Sequence, residues 1–264
     1  MNLPFYKFHG NGNDFILVDS LSQSVNLTDS QIRRVCHRRF GVGADGLILV
    51  LPSIEHAFTM KYYNSDGLEG TMCGNGGRCV AAFAFMRGYA TGTLSFDAFD
   101  GVHQAVVERV IKPGSEWFVS LQMQDVKHVD RDGDDFFLNT GSPHLVKFVN
   151  NVRSLDVCTL GKQIRYNKRP DVGGVNVNFV EVSPEGLFVR TYERGVEDET
   201  LSCGTGVTAA AIVAGLKFGE NSWKIETPGG PFLVDYQVEE WGRTQIWLRG
   251  PAELICKGDV ELIS

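Results

Sequence analysis

Two short stretches carry residue types that can move protons: Met72-Cys73-Gly74-Asn75-Gly76-Gly77-Arg78 and, 130 residues later, Ser202-Cys203-Gly204-Thr205-Gly206. Each sets a cysteine and a small glycine turn ahead of a helix-like run. A thiol at a helix N-terminus meets backbone amides and the positive end of the helix dipole, which favour the thiolate. Two such thiols could serve one carbon from opposite sides, one taking a proton and the other delivering one. Inversion of a stereocentre needs that arrangement. The helix amides would hold a carboxylate, and without an electron-sink cofactor a dry, preorganised pocket must stabilise the carbanion. For a single Cys-Gly-x-Gly, a plain helix cap is the better reading.

The elements that must position these thiols are legible in outline. Residues 79–88 and 207–219 are apolar nearly all the way round, so both helices must be buried. Phe5 to Asp19 reads as strand, glycine turn and strand. Thr28-Asp29-Ser30 starts a helix over Gln31 to Arg39, with Ile32, Val35 and Cys36 on one face. Leu47–Leu51 is a wholly apolar strand, and Phe58–Tyr63, Leu94–Phe96 and Val102–Val110 read as further strands. Lys112-Pro113-Gly114-Ser115 is the best boundary candidate.

The second half repeats the first. Asn13 stands 60 residues before Cys73, and Ser142 stands 61 before Cys203. Gly46 and Asn176 each lie 27 before their cysteine, and Asn64 and Arg194 each lie nine before. Gln31-Ile32-Arg33-Arg34 answers Gln163-Ile164-Arg165, and Gly101 answers Gly230. A repeat of this length is a domain-sized duplication rather than a solenoid unit. Two similar lobes are expected to present corresponding turns to each other about a pseudo-two-fold axis.

Composition narrows the classes. The chain has 264 residues, 43% hydrophobic and 22% charged, ordinary values for a globular protein. A formal charge of −7 without a long basic run argues against nucleic-acid or anionic-membrane partners. No signal-peptide pattern or membrane-length apolar run is visible, so the cytoplasm is the expected location. The six cysteines include no Cys-x-x-Cys, which leaves a zinc ribbon or thioredoxin-type site without support. Cys36, Cys79, Cys158 and Cys256 are expected to be buried small hydrophobes. Gly41-Val42-Gly43-Ala44-Asp45-Gly46 matches a dinucleotide fingerprint literally, but a helix precedes it and a strand follows, the reverse of what pyrophosphate binding needs. Asp130–Asp135 resembles a calcium loop only faintly and suits a solvated turn.

Several flanking residues suit an amino-acid substrate. Arg194 can clamp a carboxylate through parallel hydrogen bonds, and Glu193 can hold an ammonium. Asn13, Asn64 and Asn176 sit in turns at strand ends, and a pair of His144 and Glu193 beside a thiol could tune it.

With Lys7-Phe8-His9-Gly10-Asn11-Gly12-Asn13-Asp14-Phe15, Tyr192-Glu193-Arg194-Gly195 and the two cysteine turns, the chain resembles the diaminopimelate epimerases over nearly its whole length. The resemblance implies an α+β fold of two pseudo-symmetric lobes, each a mixed sheet curled like a barrel round a central buried helix. The expected N-terminal lobe is residues 1–118 plus 253–264, carrying Cys73; the C-terminal lobe is 119–252, carrying Cys203. It implies epimerisation of LL-2,6-diaminoheptanedioate to the meso form, on the route to lysine and peptidoglycan precursors, without cofactor or metal. Cys73 and Cys203 resemble the catalytic pair, with His144 and Glu193 adjusting them. Asn13, Asn64, Gly74, Asn75, Asn176, Glu193, Arg194, Gly204 and Thr205 resemble the substrate contacts. A cytoplasmic homodimer is implied, with a small-molecule substrate as partner. Two positions depart from the pattern: Gly46, where some members have Gln, and Ser142, where many have Asn.

Two other readings fit the same residues. A proline or 4-hydroxyproline racemase shares paired thiols, although those enzymes tend to carry His where Asn75 stands. A redox-responsive binding protein would use the cysteines as a reversible disulfide.

Overall fold

The computed structural model describes residues 2–21, 23–167 and 173–262. Two compact units emerge: Met1–Leu121 together with Gly250–Ser264, and Gln122–Arg249.

The first unit contains β1 (Asn2–Gly10), β2 (Asn13–Asp19), α1 (Asp29–Cys36), β3 (Gly46–Leu51), β4 (Thr59–Asn64), α2 (Gly74–Met86), β5 (Thr93–Ala98), β6 (Gly101–Lys112) and β7 (Glu116–Gln122). Its strands pair in sequence order from β1 to β7. The end of β16 (Gly242–Glu261) pairs both β7 and β1, which closes an eight-stranded barrel. Only β2–β3 and β4–β5 are parallel. Parallel neighbours need a crossover, and these two crossovers hold α1 and α2.

The two helices differ in pattern and therefore in place. Thr28 caps α1 in a reciprocal capping box with Gln31, and only Ile32, Val35 and Cys36 are buried. That single face packs on the outer side of the barrel against Leu3, Phe5, Ile16, Val18, Leu47 and Leu49. Gly74 to Ala84 of α2 are all buried, and the helix touches β1, β2, β3 and β6. It runs through the middle, where Phe83 meets the rings of Tyr6 and Phe8. The continuous apolar runs of β2 and β3 follow, because each lies between α1 outside and α2 inside.

The second unit repeats the order. It has β8 (Val129–Asp132), β9 (Asp135–Asn139), β10 (Pro143–Phe148), α3 (Val157–Asn167), β11 (Asn176–Ser183), β12 (Gly186–Glu193), β13 (Asp198–Thr200), α4 (Gly204–Phe218), β14 (Ser222–Thr227), β15 (Gly230–Glu239) and the start of β16. Its sheet runs β16-β15-β14-β12-β11-β10-β9-β8, with β13 beside β12. Just ahead of β8, Val126 bridges back to Arg243 of β16. The parallel pairs are β10–β11 and β12–β14, and their crossovers hold α3 and α4. Helix α4 is buried through Ala214 apart from Thr205. The duplication inferred from spacing is thus one of elements: Asn13 and Pro143 open β2 and β10, and Gly46 and Asn176 open β3 and β11.

Some expectations need correction. Helix α1 stops at Cys36 rather than Arg39, because His37 turns extended and the amides of Gly43 and Ala44 bond back to Val35 and Cys36. Lys112–Ser115 is the hairpin turn between β6 and β7. Cys36 and Cys79 are buried, but Cys158 and Cys256 are exposed. In α3 the buried face runs through Val157, Gly161 and Arg165, so Cys158 points the other way. Cys256 lies in a stretch of β16 whose neighbours Ile255 and Lys257 are exposed too.

At Gly215 the packing round α4 is tight. A Cβ on Gly215 would lie 1.8 Å from Tyr236 Oη and 2.4 Å from the Glu220 carbonyl oxygen. Alanine gains about 1 kcal/mol of helix propensity over glycine, but overpacking costs about 1–3 kcal/mol. Gly215→Ala is therefore expected to lower the free energy of unfolding in urea. A stabilised variant would show that the enclosure is loose.

Candidate active site

In the first unit, Cys73 is the N-cap of α2, with extended backbone (φ −110°, ψ 123°) and no side-chain capping bond. The thiol therefore stands at the mouth of the helix without being used as its cap. The Cys73 Sγ donates to Asn13 Oδ1 at 3.5 Å, and Asn75 Nδ2 donates to the same oxygen at 3.3 Å. Asn13 Nδ2 in turn donates to Asp45 Oδ2 at 2.7 Å, and Asp45 accepts from Arg38 at 2.6 Å. Behind Asn75 lies Arg78, wholly buried. Its Nη2 donates to Asn75 Oδ1 at 2.9 Å and to Asn11 Oδ1 at 2.6 Å. Desolvation lowers its pKa to about 10, so it stays a cation at neutral pH.

This set of bonds has a fixed direction. A guanidinium only donates and a carboxylate only accepts. Arg78 forces the Asn75 oxygen toward itself, and Asp45 forces the Asn13 nitrogen toward itself. The Asn13 oxygen is left facing Cys73. Asp14, beside this turn, is bound by Arg38 and Lys7. Burial alone would raise its pKa, but those bonds prevail and hold it at about 2.

Asn64 ends β4 directly opposite Gly46 on β3. Its Oδ1 accepts from the Tyr62 hydroxyl at 3.0 Å. Gly74 follows Cys73 as the first helical residue, and its carbonyl accepts from Arg78 Nη1 at 3.4 Å.

The second unit builds the same frame from different side chains. Cys203 is the N-cap of α4 (φ −128°, ψ 111°), again with no side-chain cap. Its Sγ lies 3.4 Å from Thr205 Oγ1. The Thr205 carbonyl accepts from Thr140 Oγ1 at 2.8 Å, and the Gly204 carbonyl from Thr208 Oγ1 at 2.9 Å. Asn176 joins two turns: its Nδ2 donates to Ser142 Oγ and the Pro143 carbonyl, and its Oδ1 accepts from the Arg194 amide at 2.8 Å. Glu193 Oε2 accepts from Thr200 Oγ1 at 2.8 Å.

His144 stands on β10, in register with Asn176 of β11. It is wholly buried, and its ring faces Asn178, with 3.1 Å between Nδ1 and Asn178 Nδ2. Asn178 also donates to the Leu145 carbonyl and accepts from Thr191, so Nδ1 is an acceptor and the ring proton resides on Nε2. Burial, and then the charge of Arg194, lower the His144 pKa to about 3.

The structure therefore joins Cys73, Asn13 and Asn75 by direct bonds, and likewise Asn176 with Arg194 and Cys203 with Thr205. Sequence reasoning missed Arg78, Asp45, Thr140 and Tyr62. Arg78 had a signal, a charged residue opening an otherwise apolar helix; Asp45 was hidden inside a decoy motif. The remaining buried thiols are poor candidates for chemistry: burial pushes Cys36 up to about 12, and Cys79 is pushed up as well.

Comparison with known proteins identifies the family. A family model described as diaminopimelate epimerase matches residues 5–128 and 136–255. The diaminopimelate epimerase of Flavobacterium psychrophilum is 45% identical over 257 residues, covering 96% of this chain and 98% of that protein. That of Chlorobaculum tepidum is 42% identical, covering 96% and 99%. Among solved structures, a PhzF-family phenazine biosynthesis protein from Bacillus anthracis superposes with a TM-score of 0.77 at 16% identity, covering 99% of each chain. A hydroxyproline epimerase from Agrobacterium vitis, with bound trans-4-hydroxy-L-proline, gives 0.72 at 15% identity, covering 100% of this chain and 93% of that one. At such identities these two structures speak for the fold alone. The sequence matches are full-length and close, and the chain belongs to the diaminopimelate epimerase family.

Proposed function

We propose that this chain interconverts LL- and meso-diaminopimelate by proton transfer at one α-carbon, with Cys73 and Cys203 as the two acid/base groups. The observation that carries this is the repeated frame: in each unit a thiol not used for capping stands at the N-terminus of an enclosed helix. One thiolate removes the α-proton and becomes a thiol; the other thiol gives its proton to the opposite face and becomes a thiolate. Charge and protons balance, and the enzyme leaves each turnover with the two roles exchanged.

The carboxylate flanking the reacting carbon carries the developing negative charge. The first amides of an α-helix lack intrahelical partners, and at α2 and α4 they are available to that carboxylate. Asn13, Asn64, Asn75, Asn176 and Thr205 supply neutral donors and acceptors, Arg194 a cation for a carboxylate, and Glu193 an anion for an ammonium. In this reading no pyridoxal phosphate or metal takes part. The enzyme would act as a cytoplasmic homodimer serving lysine and peptidoglycan synthesis. Among the described residues no helix is long and apolar enough to cross a membrane, which accords with it.

Incubation of the protein with LL-diaminopimelate in D2O, followed by proton NMR, is expected to show α-deuterium incorporation and meso product. Cys73→Ala and Cys203→Ala are each expected to lower epimerisation by about 100-fold or more, the usual share of general acid–base catalysis. Undiminished turnover in either variant would refute the two-thiol assignment.

In this scheme His144 of β10 stays neutral and buried, its ring held against Asn178 of β11. Its folded pKa lies below the ordinary imidazole value of 6.5, so the neutral ring contributes stability that is complete above pH 6.5. That contribution declines as the pH falls toward 3. By NMR the His144 ring resonances are expected to stay constant between pH 8 and 5. A midpoint near 6.5 would mean a hydrated ring and would contradict this placement.

A further inference from the structure

Gly46 and Asn176 open equivalent strands, yet one has no side chain. In the second unit Asn176 Oδ1 accepts from the Arg194 amide at 2.8 Å and so fixes the turn after β12. In the first unit the equivalent turn residue is Asn64, and Gly46, its partner across β3 and β4, has no side chain to reach it. The space is taken by Tyr62 and by the Tyr63 carbonyl oxygen. A Cβ on Gly46 would lie 2.4 Å from Tyr62 Cε2 and 2.9 Å from its hydroxyl oxygen. On the other side a Cβ on Gly70 would lie 2.8 Å from Tyr62 Cδ1 and Cε1. The ring is held between two glycines, meets Phe15 edge-on at 5.9 Å, and donates its hydroxyl to Asn64 Oδ1 at 3.0 Å. Gly70 is itself fixed there by its amide bond to the Tyr62 carbonyl at 3.0 Å.

We propose that Tyr62 is a positioning residue for substrate binding: its hydroxyl, seated in the slot left by Gly46 and Gly70, orients the Asn64 amide so that the Asn64 nitrogen faces the substrate. Asn64 is exposed, so without that bond its amide samples several orientations, and the substrate must select one on binding. The cost falls on affinity rather than on proton transfer, because Tyr62 acts through Asn64 and touches no reacting atom. This deepens the reading of the site given above and rests on it for Asn64 as a substrate contact.

Tyr62→Phe keeps the ring and removes only the hydroxyl. Loss of one hydrogen bond of ordinary strength is expected to raise KM for diaminopimelate about 3- to 10-fold, with kcat within about twofold and the urea midpoint little changed. In an Asn64→Ala background Tyr62→Phe should add nothing, since the two act as one unit. An unchanged KM, or an equal rise in both backgrounds, would overturn the proposal while leaving the epimerase reading intact. Independently of turnover, nitrogen relaxation of the Asn64 side-chain amide should report a lower order parameter in Tyr62→Phe. An unchanged order parameter would also overturn it. Absence of turnover by the unsubstituted protein, by contrast, sinks the epimerase reading and is distinguished by that amide measurement.

Discussion

A helix that is apolar on every side has to be enclosed, and most of this architecture follows from enclosing two of them. One sheet face can cover only part of a helix, so each unit wraps its strands round α2 or α4. The alanines and glycines of these helices let strands come close; at Gly77 a Cβ would lie 2.8 Å from Leu121. With every lateral face occupied, only the helix ends can meet solvent or substrate. The N-terminal end offers amides and the positive pole of the dipole, and both units place a cysteine there. Burial of the helix thus fixes where the proposed chemistry goes.

The second requirement is that polar groups at that end be satisfied in known directions. In the first unit a buried cation and a carboxylate hold the chain Arg78, Asn75, Asn13, Asp45 at its two ends. A buried guanidinium is costly unless paired; here its acceptors include the turn residue Asn11, the first helical carbonyl and Asn75. Pairing Arg78 therefore ties the β1–β2 turn to the start of α2. The second unit achieves the same tie without a buried cation in that place. Thr140 bonds the Thr205 carbonyl, and Asn178 links β10, β11 and β12 through Leu145, His144 and Thr191.

The sequence carried the frame more plainly than its supports. Spacings from Asn13, Gly46 and Asn64 to Cys73 that recur to within one residue before Cys203 announced the duplication, because strand and crossover lengths are set by the barrel and both copies obey nearly the same lengths. The enclosed helices were visible because their apolar residues fill every face. What escaped was lateral. The bond from Asp45 to Asn13 spans a crossover, and nothing in Gly41–Gly46 marks that aspartate apart from a surface turn. His144 stood out by type alone; its burial against Asn178 depends on register between β10 and β11, which composition does not encode. Cys158 and Cys256 failed for a related reason: an apolar neighbourhood in sequence does not say which face of an amphipathic element a residue occupies.

The pattern of what the two units share and what they do not bears on the reaction proposed. Common to both are the cysteine at the N-cap, the glycine after it and the glycine at the third helical position. Different are Asn13 against Ser142, Gly46 against Asn176, Asn64 against Arg194, and Asn75 against Thr205. Proton transfer at the two faces of one carbon asks for equivalent thiols, so the duplicated frame is retained. The other substituents on that carbon differ in charge, size and hydrogen bonding, so a site equally symmetric in its contacts would fit none of them well. Divergence at these positions, over a repeated placement of thiol and helix, is what a duplicated scaffold needs in order to act on an asymmetric centre.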